Sequence, residues 1–137
     1  HNQGLLNWWE ERNLTKQDIL ACEVPLFLPR LELAGTADMV YVDPGTGATV
    51  LTDLKTGRTV PWTNFVQGEA YKLMAEEAGT FGTIDKVTVT HVRPVAELDK
   101  GWEELVAPTV TVDTFMHILA IFNALPHEIK EYEDDGE

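Results

Sequence analysis

The run Ala34-Gly-Thr-Ala-Asp-Met-Val-Tyr-Val-Asp43, a Gly-rich turn, and then Val50-Leu-Thr-Asp-Leu-Lys-Thr-Gly57 constrain this chain more than any other stretch. Two apolar, β-compatible segments flank Asp43-Pro-Gly-Thr-Gly47, which is the pattern of a β-hairpin. Asp38 falls in the first strand; Asp53 and Lys55 fall in the second. Side chains alternate across a strand, so Asp53 and Lys55 point to the same face. Two carboxylates and a lysine on neighbouring strands are hard to explain as packing. They suit a hard divalent cation and a charged transition state.

Around this hairpin the chain reads as helix, three strands, helix, strand, helix. Apolar residues at 5, 6, 8 and 9 predict an amphipathic helix over Leu5–Arg12. Ile19–Leu28 reads as a strand that Pro25 confines to an edge or a strand start. Leu31–Val42 and Ala48–Lys55 are the hairpin strands. Pro61-Trp-Thr-Asn64 opens a helix, with Thr63 or Asn64 as N-cap and Gly79 as its stop. Ile84–Val92 reads as a strand, Pro94–Pro108 as a loop with some turn character, and Val112–Leu125 as a helix. The fold class expected is α/β, a mixed β-sheet flanked by α-helices.

At 137 residues the chain is expected to form one domain over residues 1–126, followed by an acidic, disordered tail over 127–137. No apolar run has the length of a membrane span, so no membrane partner is expected and an intracellular, cytoplasmic setting is the default. The lone Cys22 excludes a disulfide framework, a four-cysteine zinc site and a cysteine-ligated iron–sulfur cluster built from this chain alone. The net charge is −13; six acids against Lys130 in the tail account for −5, which leaves the body at −8. Such a body gets no general electrostatic help toward DNA, so phosphate binding has to come from a local basic patch and metal ions.

The residues themselves give the chemistry of the hairpin. Asp38 and Asp53 are the metal-ligand candidates, and the carbonyl of Leu54 is a third. Lys55 is placed to orient an attacking water or stabilise a pentavalent transition state. Thr56, Gly57 and Arg58 follow the strand directly, and Arg58 is the best-placed cation for an adjacent phosphate. Glu23 reads either as a further carboxylate from the preceding strand or as a charge that protects an edge. Gln67 and Tyr71, four apart, share a helical face. Lys72 is a further phosphate contact. Trp62, in the loop after the strand, is the aromatic placed to meet DNA, whereas Trp8 and Trp9 read as helix packing. His91 reads as a strand residue near the sheet surface.

Glu23-Val-Pro, Gly35-Thr-Ala-Asp38, Asp53-Leu-Lys-Thr-Gly57 and Gln67-x-x-x-Tyr71, in that order, resemble the PD-(D/E)XK nuclease superfamily. The nearest branch is that of RecB-like and phage-type exonucleases. The resemblance implies a restriction-endonuclease-like core and a DNA nuclease dependent on one or two Mg²⁺ or Mn²⁺ ions, acting as an exonuclease in recombination, repair or phage replication. It implies catalytic or metal-binding roles for Glu23, Asp38, Asp53, Leu54 and Lys55, with Gln67 and Tyr71 beside the site on DNA backbone or catalytic groups. It also implies a metal-binding histidine upstream, for which His1 stands in the right order. A homo-oligomer or a protein partner could supply the missing positive surface. The competing reading is a nuclease fold without catalysis that binds a protein partner through its acidic surface or tail. RNA in place of DNA is a third.

Overall fold

The computed structural model describes residues 2–107 and 112–124. Helix α1 (Asn2–Glu11) leads through a short helical turn into strand β1 (Ile19–Leu28). Strands β2 (Leu33–Val42) and β3 (Thr49–Lys55), helix α2 (Thr63–Ala78), strands β4 (Lys86–Val92) and β5 (Trp102–Val106) and helix α3 (Val112–Ala124) follow. The five strands form one sheet in the order β1-β2-β3-β4-β5. β3 and β4 are parallel, joined across α2, and every other neighbouring pair is antiparallel. This is an α/β fold with a mixed sheet. None of the described helices is long and apolar enough to cross a membrane.

Each face of the sheet has its own core. On the α2 side, Leu26, Leu28, Ala37, Val40, Leu51 and Val87 pack with Ala70, Tyr71, Met74 and Ala75 of α2 and Phe115 of α3. On the other side, Trp8 of α1 packs with Tyr41, Val50, Val92 and Trp102. Trp8 is fully buried, and burying an apolar side chain of this class contributes roughly 1.5–3 kcal/mol. α2 lies so close to the sheet that a Cβ at Gly68 would come within 2.6 Å of Val87 Cγ1. β3 and β4, at the centre, are covered on both faces. Their inward hydroxyls satisfy one another: Thr88 Oγ1 donates to Thr52 Oγ1 at 2.7 Å, and Thr52 and Thr90 hydroxyls lie 2.8 Å apart.

The hairpin forms as the sequence predicts. Asp43 Oδ1 accepts from the Gly45 amide at 2.9 Å, and Gly47 takes the left-handed φ of +75° that the turn needs. β1, with Pro25, is an edge strand. Gly79 closes α2 with φ +74°.

Other details differ. β5 lies where a loop is expected: its Trp102-Glu-Glu-Leu-Val sequence has little alternation, and its glutamates are stabilised from outside the strand. Arg12, in the turn that follows α1, pairs with Glu104, and Lys86 Nζ reaches the other oxygen of the same carboxylate at 2.8 Å. α1 starts at Asn2, three residues earlier than expected, because Gly4 lets it approach the chain at Gly101. β2 begins at Leu33, since Pro29–Leu31 form a helical turn closed by Glu32 at φ +53°. β4 begins at Lys86; Ile84, expected in the strand, is buried before it and its amide donates to Glu76. The residue that caps α2 is Trp62, without a side-chain bond, and Thr63 is buried as the first helical residue. His91, expected near the surface, is buried. His1, Leu125 and the acidic tail lie outside the described residues.

Candidate catalytic centre

The β2–β3 ladder runs from Val42↔Thr49 to Met39↔Thr52, and the next residues outward are Asp38 and Asp53. On β2, Met39 and Tyr41 pack on the α1 side, while Val40 and also Ala37 pack on the α2 side. Strict alternation would not put residues 37 and 40 on one face, so it slips once, at Asp38. Asp38 and Asp53 continue the hairpin register and so share the α2 side with Val40 and Leu51; the slip turns Ala37 and Gly35 to that side as well. Where the ladder stops, the Leu54 amide donates to Asp38 Oδ2 at 2.8 Å instead of to a strand carbonyl. The side chain thus replaces a ladder bond and is fixed by it.

Asp53 is only 6% exposed. Burial, first, and then the hydrogen bond and repulsion from Asp38 push its carboxyl up to about 7, against the opposing pull of Lys55. Lys55 Nζ lies 3.3 Å from Asp53 Oδ2, and its side chain remains 37% exposed. A buried carboxyl, a half-buried one and a half-exposed ammonium therefore meet on one face. Two carboxylates with the Leu54 carbonyl between Asp53 and Lys55 make a hard-oxygen donor set of the kind that Mg²⁺ takes, completed by water or phosphate oxygens. The residues fit such an ion, although no group of three or more His, Cys, Asp or Glu side chains is arranged for a metal among the described residues.

α2 closes one side of this centre. The Tyr71 ring crosses β2 at Gly35, where a Cβ would come within 2.5 Å of Tyr71 Cε1. That contact explains the glycine in Gly35-Thr-Ala-Asp38. Burial and then the nearby Asp53 push the Tyr71 phenol up, and a hydrogen bond from the Thr36 backbone opposes them. Gln67 is exposed, one turn before Tyr71. Lys72 is half-buried and acts on Glu69, whose carboxyl is raised chiefly by burial.

Glu23 is not drawn into the pair. It stands opposite Asp38, between the pairs Cys22↔Met39 and Val24↔Ala37, but it is exposed and holds φ +52°. Such a φ is uncommon for a residue with a Cβ and is found often at functional sites. Thr56 lies on the turn after β3 and Arg58 is exposed there, and no described carboxylate pairs with Arg58. Trp62 is 49% exposed at the rim of an apolar groove of about 240 Å³, lined also by Phe65, Val66 and Phe115.

Residues that carry no functional signal in the sequence hold this turn. His91 Nε2 lies 2.5 Å from the Gly57 carbonyl and Nδ1 lies 2.8 Å from Glu103 Oε2. Arg93 donates to the Thr56 carbonyl and pairs with Glu97. Nothing local marks their hold on the turn, because the Gly57 and Thr56 carbonyls that His91 and Arg93 meet lie 34 and 37 residues away in sequence. No protein-family model and no curated protein matches the sequence.

Proposed function

We propose that this chain is a metal-dependent DNA nuclease with a restriction-endonuclease-like core, hydrolysing phosphodiesters as an exonuclease. The observation that carries this reading is the pairing of Asp38 with a buried, proton-holding Asp53 beside Lys55. Purely structural carboxylates in this position would be expected to have more donors. Asp53 instead has a second carboxylate and one ammonium, an environment that a divalent cation would relieve. Asp38, Asp53 and the Leu54 carbonyl would hold Mg²⁺ or Mn²⁺, one ion or two. Such an ion, when bound, lowers the pKa of a coordinated water and offsets the charge on the phosphate. Lys55 presents its ammonium from the same face to orient that water or hold the transition-state charge. Tyr71 and Gln67 contact the DNA backbone from α2, and Arg58 and Lys72 its phosphates.

A second reading has an observation of its own. Arg12, Arg30, Lys55, Lys86, Arg93 and Lys100 are all engaged by carboxylates, so an acidic body has few free cations to offer a nucleic acid. A nuclease fold that binds a basic protein partner without cleaving DNA accounts for that. Cleavage of linear and circular DNA, single- and double-stranded, with Mn²⁺ against EDTA separates the readings. Degradation that requires both metal and Asp53 supports the nuclease, and sparing of circles makes it an exonuclease. Intact DNA from folded protein, with no Mn²⁺ binding, favours the interaction module.

A further inference from the structure

The turn after β3 carries Arg58 away from Lys55, and a flexible turn would leave that cation with no fixed position. Its two carbonyls are held from the neighbouring strand. Parallel pairing sets His91 beside Lys55, the last residue of β3. From there Nε2 meets the Gly57 carbonyl at 2.5 Å while Arg93 meets that of Thr56. Glu103, across the antiparallel β4–β5 pair, takes Nδ1 and fixes the plane of the ring. A backbone carbonyl only accepts, so Nε2 has to carry a proton for this contact to be a bond.

We infer that His91 is a positioning residue: its Nε2–H, seconded by Arg93, clamps the Thr56–Gly57 turn and so sets Arg58 for a substrate phosphate. The phosphate part rests on the nuclease reading; the clamp does not. His91 is buried, so a side chain that merely fills space is the alternative. The two differ in which substitute works. A Gln at this position can bring an amide N–H to the Gly57 carbonyl, whereas a Phe keeps the ring volume and donates nothing.

The experiment is tryptic digestion of the folded full chain, with the cut after Arg58 followed by mass spectrometry, for wild type, His91→Gln and His91→Phe. His91→Phe is expected to be cut about tenfold faster than wild type, through local opening of the turn, with His91→Gln close to wild type. Equal cutting of wild type and His91→Phe overturns the clamp, and so does His91→Gln behaving as His91→Phe. If neither variant folds, the ring ¹⁵N spectrum of wild type decides: a proton on Nε2 supports the bond, and a ring protonated only at Nδ1 removes it. DNA cleavage is assayed on the same proteins. A wild type that cuts no DNA while the digestion pattern holds overturns the nuclease reading and the phosphate role, and leaves the clamp standing.

Discussion

Asp38 and Asp53 face each other where the β2–β3 ladder ends, and the Leu54 amide there donates to Asp38. Asp53 is left buried against a carboxylate, with Lys55 as its compensating charge. The asymmetry divides the labour between two chemically identical groups. Asp38 is held in place, and Asp53 is the one that keeps a proton up to about pH 7.

Stability should record that proton. The folded-state value of Asp53 lies above its ordinary one, so between about pH 4 and pH 7 the native state binds the proton more tightly than the unfolded chain does. Stability then falls as pH rises through this window, with a slope of at most about 1.4 kcal/mol per pH unit, and levels off above it. Asp53→Asn has no charge to bury. It is expected to be more stable than wild type at pH 8, the gap closing toward pH 4, in urea titrations across that range. A gap that does not change with pH removes this account of Asp53.

Metal should compete with the same proton. Mn²⁺ at the Asp38–Asp53 pair requires the carboxylates ionised, so binding at pH 6 is expected to release a proton that binding at pH 8 does not. Titration calorimetry in two buffers of different ionisation enthalpy reads this directly. Asp38→Asn and Asp53→Asn should each abolish binding. Lys55→Ala should leave it largely intact and lower cleavage about 10²–10³-fold, the usual effect of removing one transition-state donor. Strong Mn²⁺ binding in Asp53→Asn would put the metal elsewhere.

Gly35 and Tyr71 make a steric pair. Gly35→Ala should destabilise the fold by about 1–3 kcal/mol, since its Cβ would overlap the Tyr71 ring. Tyr71→Leu makes room for that Cβ. The double variant is therefore expected to be more stable than the sum of the single effects implies. Simple additivity in a double-mutant cycle would mean that the ring does not lie on Gly35.

The hairpin and its trio are legible in the sequence because everything that makes them is local: a turn between two apolar runs, with charges interrupting one of them. The contacts that finish the centre are not local. Ala37 and Gly35 turn to the α2 side, where Gly35 meets Tyr71, through a slip in alternation that no residue of Ala34–Val42 announces. β5 is hidden because Glu103 and Glu104 look like loop residues until His91, Arg12 and Lys86 meet them. His91 itself reads as a strand residue, since neither Gly57 nor Glu103 is near it in sequence. The start of α2 differs from expectation for a related reason: Thr63 is a good N-cap by type, but the fold takes it as a buried helical residue.

Arg58 is where charge and function can be tested together. Most described cations already face a carboxylate, and Arg58 does not. A phosphate contact by a single arginine is independent of sequence and releases about one counterion. Arg58→Ala should weaken binding to unrelated DNA sequences by similar factors and flatten the slope of log affinity against log salt by about one. Fluorescence anisotropy with Ca²⁺ in place of Mg²⁺ measures this without cleavage. Arg30→Ala, which removes a cation paired with Glu77, is the control and should leave the slope unchanged. Loss of slope in both variants would mean that the acidic body acts as a diffuse field, with no defined phosphate contact at Arg58.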